Sequence, residues 1–396
     1  MDISKIEQAQ RLLKLPIYVF AQQDKLKAEE AARGTDLIDL GMGNPDISPP
    51  KAVIEKLVSS LNDPENHRYP SFEGAPDFKE AVAGWCKRQY NIHIDPKHEV
   101  VSLIGSKEGI IHFAFAYINP GDTTLVPIPA YPAHFNGTIL AGGEPVVLPT
   151  TEHKGYLPDL KIIDPAIAEK AKIMFLSYPT NPTGAFSTRK FFEEAVAFCK
   201  KYNIILVHDF AYAEVYFEGE KPISMLSIPG AKDVCIEFQT TSKTFGMPGW
   251  RCGFAIGNRV LIESLRKIKT NLDYGLFTAV QKAAVTALNL KNGYMEVMRN
   301  TYQRRRDLFV AGINALGWNV KKPKGTMYVW MPVPQGYDST EFSLHLMKKT
   351  GVVLSPGVAF GDLGEGYVRA ALVVSESRLT EALDRMQKAG IRFHGS

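Results

Sequence analysis

Short apolar runs rich in β-branched residues recur from about Pro76 to Arg259, each bounded by turn residues and alternating with stretches of helical spacing. The runs are Val100 to Ile104, Thr123 to Pro127, Pro145 to Leu148, Ile173 to Ser177, Ile204 to Val207, Val234 to Phe238 and Cys252 to Ile256. Their apolarity is continuous, as it is in strands covered on both faces. Between them Lys107 to Tyr117, Pro132 to Ala141 and Arg189 to Tyr202 keep a helical period, and Ser187-Thr188 supplies N-cap side chains for the last. This alternation predicts an α/β fold around a mostly parallel seven-stranded sheet.

From Gln281 to about Leu316 helical spacing runs on without proline, which predicts one long helix, kinked near Gly293 and able to bridge two domains. Beyond it Met327 to Met331, Val352 to Leu354 and Tyr367 to Leu372 read as strands, with helices at Glu341 to Thr350 and Arg378 to Ala389. These predict a smaller α/β domain. A helix over about Ala21 to Arg33, ending at Gly34, is expected to pack on it. The expected division is a large domain over 41–289 and a small domain made of 1–40 and 290–396, with an N-terminal lid.

Composition narrows the function classes. In 396 residues, 45% apolar and 22% charged is ordinary globular usage, so a sizeable core is expected. The 46 Lys and Arg against 42 Asp and Glu give +4 with no basic run, which argues against a nucleic-acid partner. Cys86, Cys199, Cys235 and Cys252 are far apart without a C-x-x-C pair, so no metal site is expected and a reducing compartment suits them. Met1 to Leu15 lacks the apolar centre of a signal peptide, and Ile110 to Ile118 falls short of the roughly 18 residues of a membrane span. A cytoplasmic chain with no membrane partner is expected.

Four segments carry chemistry. Lys243 follows a buried run in Thr240-Thr241-Ser242-Lys243-Thr244-Phe245-Gly246-Met247-Pro248-Gly249-Trp250-Arg251. A lone lysine is ordinarily a solvated surface residue. Here hydroxyls, a Gly/Pro loop and an arginine eight residues on make an anion-binding loop around an amine suited to a Schiff base. Asp209 ends another run, at the strand end where open α/β sheets bind ligands, with Tyr212 three residues on. Taken singly, Asp209 reads as a turn or cap. Ser177-Tyr178-Pro179-Thr180-Asn181-Pro182-Thr183-Gly184 reads as a rigid turn offering a side-chain amide. Ile104-Gly105-Ser106-Lys107-Glu108-Gly109 passes from strand to helix, where backbone N–H groups favour a phosphate, although a plain N-cap serine would look the same. A dinucleotide-binding loop fails because Asn44-Pro45-Asp46 follows Gly41-Met42-Gly43, and a G-x-S-x-G elbow fails at Ile104.

The ordered set Asn181-Pro182-Thr183-Gly184, Asp209 with Tyr212, Ser242-Lys243 with Arg251, and Tyr367-Val368-Arg369 resembles the fold-type I pyridoxal-phosphate aminotransferases of class I/II. The resemblance runs from about Leu15 to the end. Within that superfamily, Leu15-Pro16-Ile17-Tyr18-Val19-Phe20, Gly41-Met42-Gly43-Asn44-Pro45-Asp46 and Phe210-Ala211-Tyr212-Ala213 look most like bacterial alanine-forming transaminases and LL-diaminopimelate aminotransferases.

The resemblance implies pyridoxal 5′-phosphate as cofactor and a role for each matched residue. Lys243 would form the Schiff base and shuttle the α-proton, and Asp209 would pair with the pyridine nitrogen. Asn181 and Tyr212 would hydrogen-bond the ring hydroxyl, and Tyr131 would stack on the ring. Ser106, Lys107, Thr240, Ser242 and Arg251 would hold the phosphate, with Tyr69 reaching it from the other subunit of a homodimer. Arg369 would grip the substrate α-carboxylate in a bidentate fork. Gly43 and Asn44 would line the substrate side, with Asn181 near it and Ile17 and Tyr18 in the lid.

Substrate choice follows from a few positions. LL-diaminopimelate aminotransferases carry a glutamate three residues after the motif tyrosine and an asparagine at a later helix start; those places hold Phe72 and Tyr274, with Glu73 adjacent. The expected reaction is amino transfer from a small L-amino acid, such as alanine, aspartate or glutamate, to 2-oxoglutarate or pyruvate in amino-acid biosynthesis. The alternatives are LL-diaminopimelate as substrate, or a C–S lyase or decarboxylase on the same scaffold. A regulator that kept the pocket would need a helix-turn-helix module, for which the residues before Leu40 are too few.

Overall fold

The computed structural model describes residues 6–16, 19–291 and 293–393. In chain order its strands are β1 Ile38–Asp39, β2 Val100–Leu103, β3 Thr123–Ile128, β4 Glu144–Pro149, β5 Ala171–Leu176, β6 Ile205–Asp209, β7 Cys235–Thr240, β8 Gly253–Gly257, β9 Tyr328–Pro332, β10 Val352–Val353, β11 Ser355–Pro356 and β12 Tyr367–Ala371. Strands β2 to β8 form one sheet in the order β2-β8-β7-β6-β5-β3-β4. Every pairing in it is parallel except those of β8, which runs against β2 and β7. The expected mostly parallel seven-stranded sheet is present.

Alternate side chains enter two cores. Val100, Leu125, Met174 and Leu206 pack with Phe78, Trp85, Phe192 and Val196 on one face. Val101, Val126, Phe175 and Val207 pack with Ile110, Phe113, Ile262 and Leu265 on the other. Burial on both faces is why these strands read as unbroken apolar runs. Helices Lys51–Ser60, Pro76–Tyr90 and Arg259–Leu272, which the pattern did not single out, complete the cover.

The expected long helix is two helices, Thr278–Leu288 and Tyr294–Ala315. Gly293 caps the second from the left-handed region at φ 75°, so the chain breaks there instead of bending through. The second sheet has the order β11-β12-β9, all antiparallel, while β1 pairs in parallel with β10. The expected strand Val352 to Leu354 is therefore divided: its first two residues pair with β1, and the chain then joins the three-stranded sheet at Ser355. Helix Val19–Ala32 ties to this half through Gln23 Nε2 to the Leu354 carbonyl (2.5 Å) and Lys27 to Asp39 (2.7 Å). Ile38, Phe309, Ile313, Val329, Phe342, Val352 and Leu379 fill its core. A fourth cluster joins the halves, with Tyr212, Val215 and Phe217 against Met298, Tyr302, Met327 and Tyr328. Among the described residues no helix is long and apolar enough to cross a membrane.

Candidate active site

Parallel strands leave the large sheet along one edge, and each delivers one part of the site. The chain passes Ile104 to Ser106 after β2, Tyr131 after β3 and Asn181 after β5, while Asp209 and Thr240 are the last residues of β6 and β7. Because β8 runs the other way, Arg251, just before it, stands on the same edge. A cavity of about 190 Å³ opens there, and Gly43, Ser106, Lys107, Tyr131, Asn181, Asp209, Tyr212, Thr240, Ser242, Lys243 and Arg251 line it together with Arg369 from the other half.

Lys243 sits in the one-turn helix Thr241–Thr244, capped by the Thr240 hydroxyl, which accepts from the Ser242 N–H at 3.2 Å. Its amine donates to the Gly43 carbonyl (2.6 Å) and pairs with no carboxylate among the described residues. Loss of water around it lowers its pKa; the Arg369 and Arg251 guanidinium groups push the same way, and Tyr328 opposes them. The buried Asp209 accepts from His134 Nε2 (3.0 Å), whose ring stacks on Phe175 with centroids 5.7 Å apart.

An anion cradle lies beside the amine. Gly105, at φ 83°, leads into helix Ser106–Tyr117, whose first-turn N–H groups point outward. A Cβ on Gly105 would stand 2.2 Å from the Arg251 guanidinium, and one on Gly253 would stand 2.8 Å from the Gln239 carbonyl and 3.1 Å from the Ser106 nitrogen. Only glycines let these strands close around a small anion with the Thr240 and Ser242 hydroxyls nearby. An amine of lowered pKa, a carboxylate across the cavity and this cradle form a donor set that fits pyridoxal phosphate.

On the other side the buried Arg369 donates to the Gly41 carbonyl (2.5 Å), Asn181 Oδ1 (2.8 Å) and Ser355 Oγ (3.3 Å). Its guanidinium lies 4.1 Å from the Tyr328 ring centroid and 4.7 Å from that of Phe360. Asn181 thus faces Arg369 through its carbonyl oxygen, and the Tyr212 hydroxyl bonds the Tyr328 hydroxyl at 2.8 Å. Sequence reasoning missed His134 and Tyr328. Their only signals were a histidine three residues after Tyr131 and a tyrosine inside the expected strand Met327 to Met331.

Tyr69 lies apart from its own chain's cavity, 81% exposed and stacked on Tyr274 at 4.5 Å, with Phe72 on the same ring at 5.6 Å. Glu73 is bound to Lys79 (2.9 Å) and Arg266 (3.4 Å). Asn44 is exposed and does not line the cavity. Tyr18 and Ile17 lie outside the described residues. One cluster with metal-ligand residue types, Glu108, His112 and Asp273, already holds the ammonium of Lys269 between its carboxylates.

Comparison with known proteins gives a consistent result. Residues 35–386 match the family described as aminotransferase class I and II. The LL-diaminopimelate aminotransferase of Halothermothrix orenii is 49% identical over 98% of this chain and 100% of that protein, and that of Moorella thermoacetica is 48% identical over 97% and 98%. Among solved structures, substrate-bound BacF of Bacillus subtilis superposes with a TM-score of 0.96 at 38% identity, covering 98% of this chain and 99% of that one. The chain belongs to the class I and II aminotransferases, enzymes that depend on pyridoxal phosphate.

Proposed function

We propose that this aminotransferase acts on LL-diaminopimelate, exchanging an amino group with a 2-oxo acid such as 2-oxoglutarate. The supporting observation is a likeness of nearly half the residues along the full length of proteins bearing that name. It favours the diaminopimelate alternative over the main expectation of a small amino acid. Recognition of the distal end then falls to groups other than a glutamate at position 72, because Phe72 stands there and Glu73 is tied to Lys79 and Arg266.

When bound, pyridoxal phosphate supplies a ring that withdraws electron density from the substrate α-carbon. Lys243, with its lowered pKa, has an amine that sheds its proton readily; its Nζ would anchor the cofactor and, once displaced by the substrate amine, take the α-proton and return it. Asp209, steadied by His134, would stabilise positive charge on the ring nitrogen. Asn181 and Tyr212 would meet the ring hydroxyl, and Tyr131 its face. Ser106, Lys107, Thr240, Ser242 and Arg251 would hold the phosphate. Arg369 would fork the α-carboxylate, beside Gly43 and Asn181.

The exposed Tyr69 suits a homodimer in which each copy completes the other's phosphate site. The halves would act as domains over 41–289 and over 1–40 with 290–396, in the cytoplasm. The test compares LL-diaminopimelate, alanine and aspartate as amino donors to 2-oxoglutarate. We expect kcat/KM for LL-diaminopimelate to lead by about tenfold or more, a usual margin for a matched pocket. A lead for alanine or aspartate would restore the small-amino-acid reading, and turnover without any oxo acid would indicate a lyase.

A further inference from the structure

Tyr328 carries no role in the reading above, yet it lines the cavity and touches both Tyr212 and Arg369. It opens β9 in the small half, while Tyr212 lies just beyond β6 in the large half. Their hydroxyls meet at 2.8 Å and their rings cross edge to face at 5.5 Å, so this pair clasps the two halves at the cavity wall. Both side chains are nearly sealed from solvent, and burial pushes the Tyr212 hydroxyl well above the ordinary tyrosine range. Tyr212 therefore keeps its proton, and either oxygen of the pair can donate to the other.

The ring of Tyr328 makes a second contact. Strand register sets Ala371 opposite Tyr328 and Arg369 opposite Trp330, so Arg369 is the diagonal neighbour of Tyr328. Its guanidinium lies between the rings of Tyr328 and Phe360. A third contact is with the backbone: a Cβ on Gly43 would stand 1.9 Å from the Tyr328 hydroxyl oxygen. Gly43 is thus required by the tyrosine, and its carbonyl accepts from Lys243. The approach to β9 is fixed as well. Thr326 adopts φ 67°, unusual for a β-branched residue, and is held by its N–H to the Val215 carbonyl (2.8 Å) and by its hydroxyl accepting from the Tyr328 N–H (3.1 Å).

We propose that Tyr328 is a positioning residue: its hydroxyl sets the hydrogen bonding of Tyr212, and its ring face orients the Arg369 fork. The inference rests on the roles given to Tyr212 and Arg369 under the proposed function. It separates two effects that a packing role would merge, since the hydroxyl acts on proton placement and the ring on carboxylate binding.

The test uses the full-length, cofactor-loaded protein with Tyr328→Phe and Tyr328→Leu. Tyr328→Phe keeps the ring, so KM for the amino donor should stay within about twofold. Loss of one buried hydrogen bond should lower kcat by about fivefold and displace the pH midpoint of the bound cofactor's absorbance. Tyr328→Leu removes the brace too and should raise KM about tenfold, the scale of a desolvated cation–π contact. A Phe variant with wild-type kcat and absorbance midpoint overturns the hydroxyl role. A Leu variant with wild-type KM overturns the brace. The near-isosteric Phe variant preserves the packing, so its result decides the hydroxyl role whether or not the Leu variant folds. Wild-type protein that neither binds the cofactor nor transfers amino groups would instead refute the underlying reading.

Discussion

Lys243 and Lys269 are both drawn out of bulk water, and their surroundings treat them in opposite ways. Lys269, from helix Arg259–Leu272, has 0% side-chain exposure and donates to Glu108 Oε1 and Asp273 Oδ2, each at 2.8 Å. Its charge is matched. Lys243 opens onto the cavity, donates to a neutral carbonyl and feels two guanidinium groups. Its charge is opposed. Burial alone would raise the pKa of Glu108, yet its carboxyl is held below the ordinary range because His112 and Lys269 favour the anion. Reactivity of a buried amine therefore follows from the company it keeps as well as from its loss of water. The quiet cluster also supports the reactive one, since Glu108 Oε2 accepts from the Ile104 N–H (3.0 Å) at the start of the anion cradle.

The contrast can be broken experimentally. Lys243→Ala should lower amino transfer by about 10⁵-fold or more, as loss of a covalent nucleophile does, with little change in melting temperature. Substantial residual turnover would erase the distinction. Lys269→Met should do the reverse: two carboxylates left facing each other cost about 3–5 kcal/mol of stability, read by thermal or denaturant unfolding. An unchanged unfolding midpoint would show that the cluster adds nothing. Arg369→Ala sharpens the comparison from the substrate side. KM should rise about 10²-fold, the worth of a bidentate charge-assisted pair, and an unaltered KM would move carboxylate binding elsewhere.

The smallest effects are in pH dependence. With its folded pKa depressed, Glu108 adds stability that is complete above the ordinary glutamate range and fades as pH falls through its lowered value. Glu108→Gln should flatten that acid limb. For Lys243, also depressed, the unfolded chain binds the extra proton, so cofactor-free protein should gain stability as pH rises from the lowered value toward the ordinary lysine range. Lys243→Met should abolish that gain, and an identical alkaline profile in the variant would contradict the assignment.

The parts legible in the sequence were those set by local physics. Strands buried on both faces announce themselves as β-branched runs, and the glycines, hydroxyls and arginine around Lys243 lie within one loop. Two-residue strands such as Ile38–Asp39 gave no such signal, because their pairing partner is more than three hundred positions away at Val352. Tyr328 and His134 were invisible for the same reason: one acquires its place from the register of β9 on β12, the other from a helix packed on β3 and β4 that brings its ring to Asp209. The break at Gly293 was seen as a kink, since spacing alone cannot tell a bent helix from two helices. Counting residues around Phe72 and Tyr274 favoured a small substrate, whereas the likeness along the whole chain is to proteins named LL-diaminopimelate aminotransferase.

The reversed direction of β8 has a mechanical consequence. Lys243, Asp209 and Arg251 are all anchored on a single rigid platform, so their mutual spacing survives any rocking of one half against the other. Arg369 and Tyr328 ride on the opposite body. With the roles proposed above, an enzyme assembled this way would loosen its hold on a departing product while retaining an undisturbed grip on the vitamin, turnover after turnover.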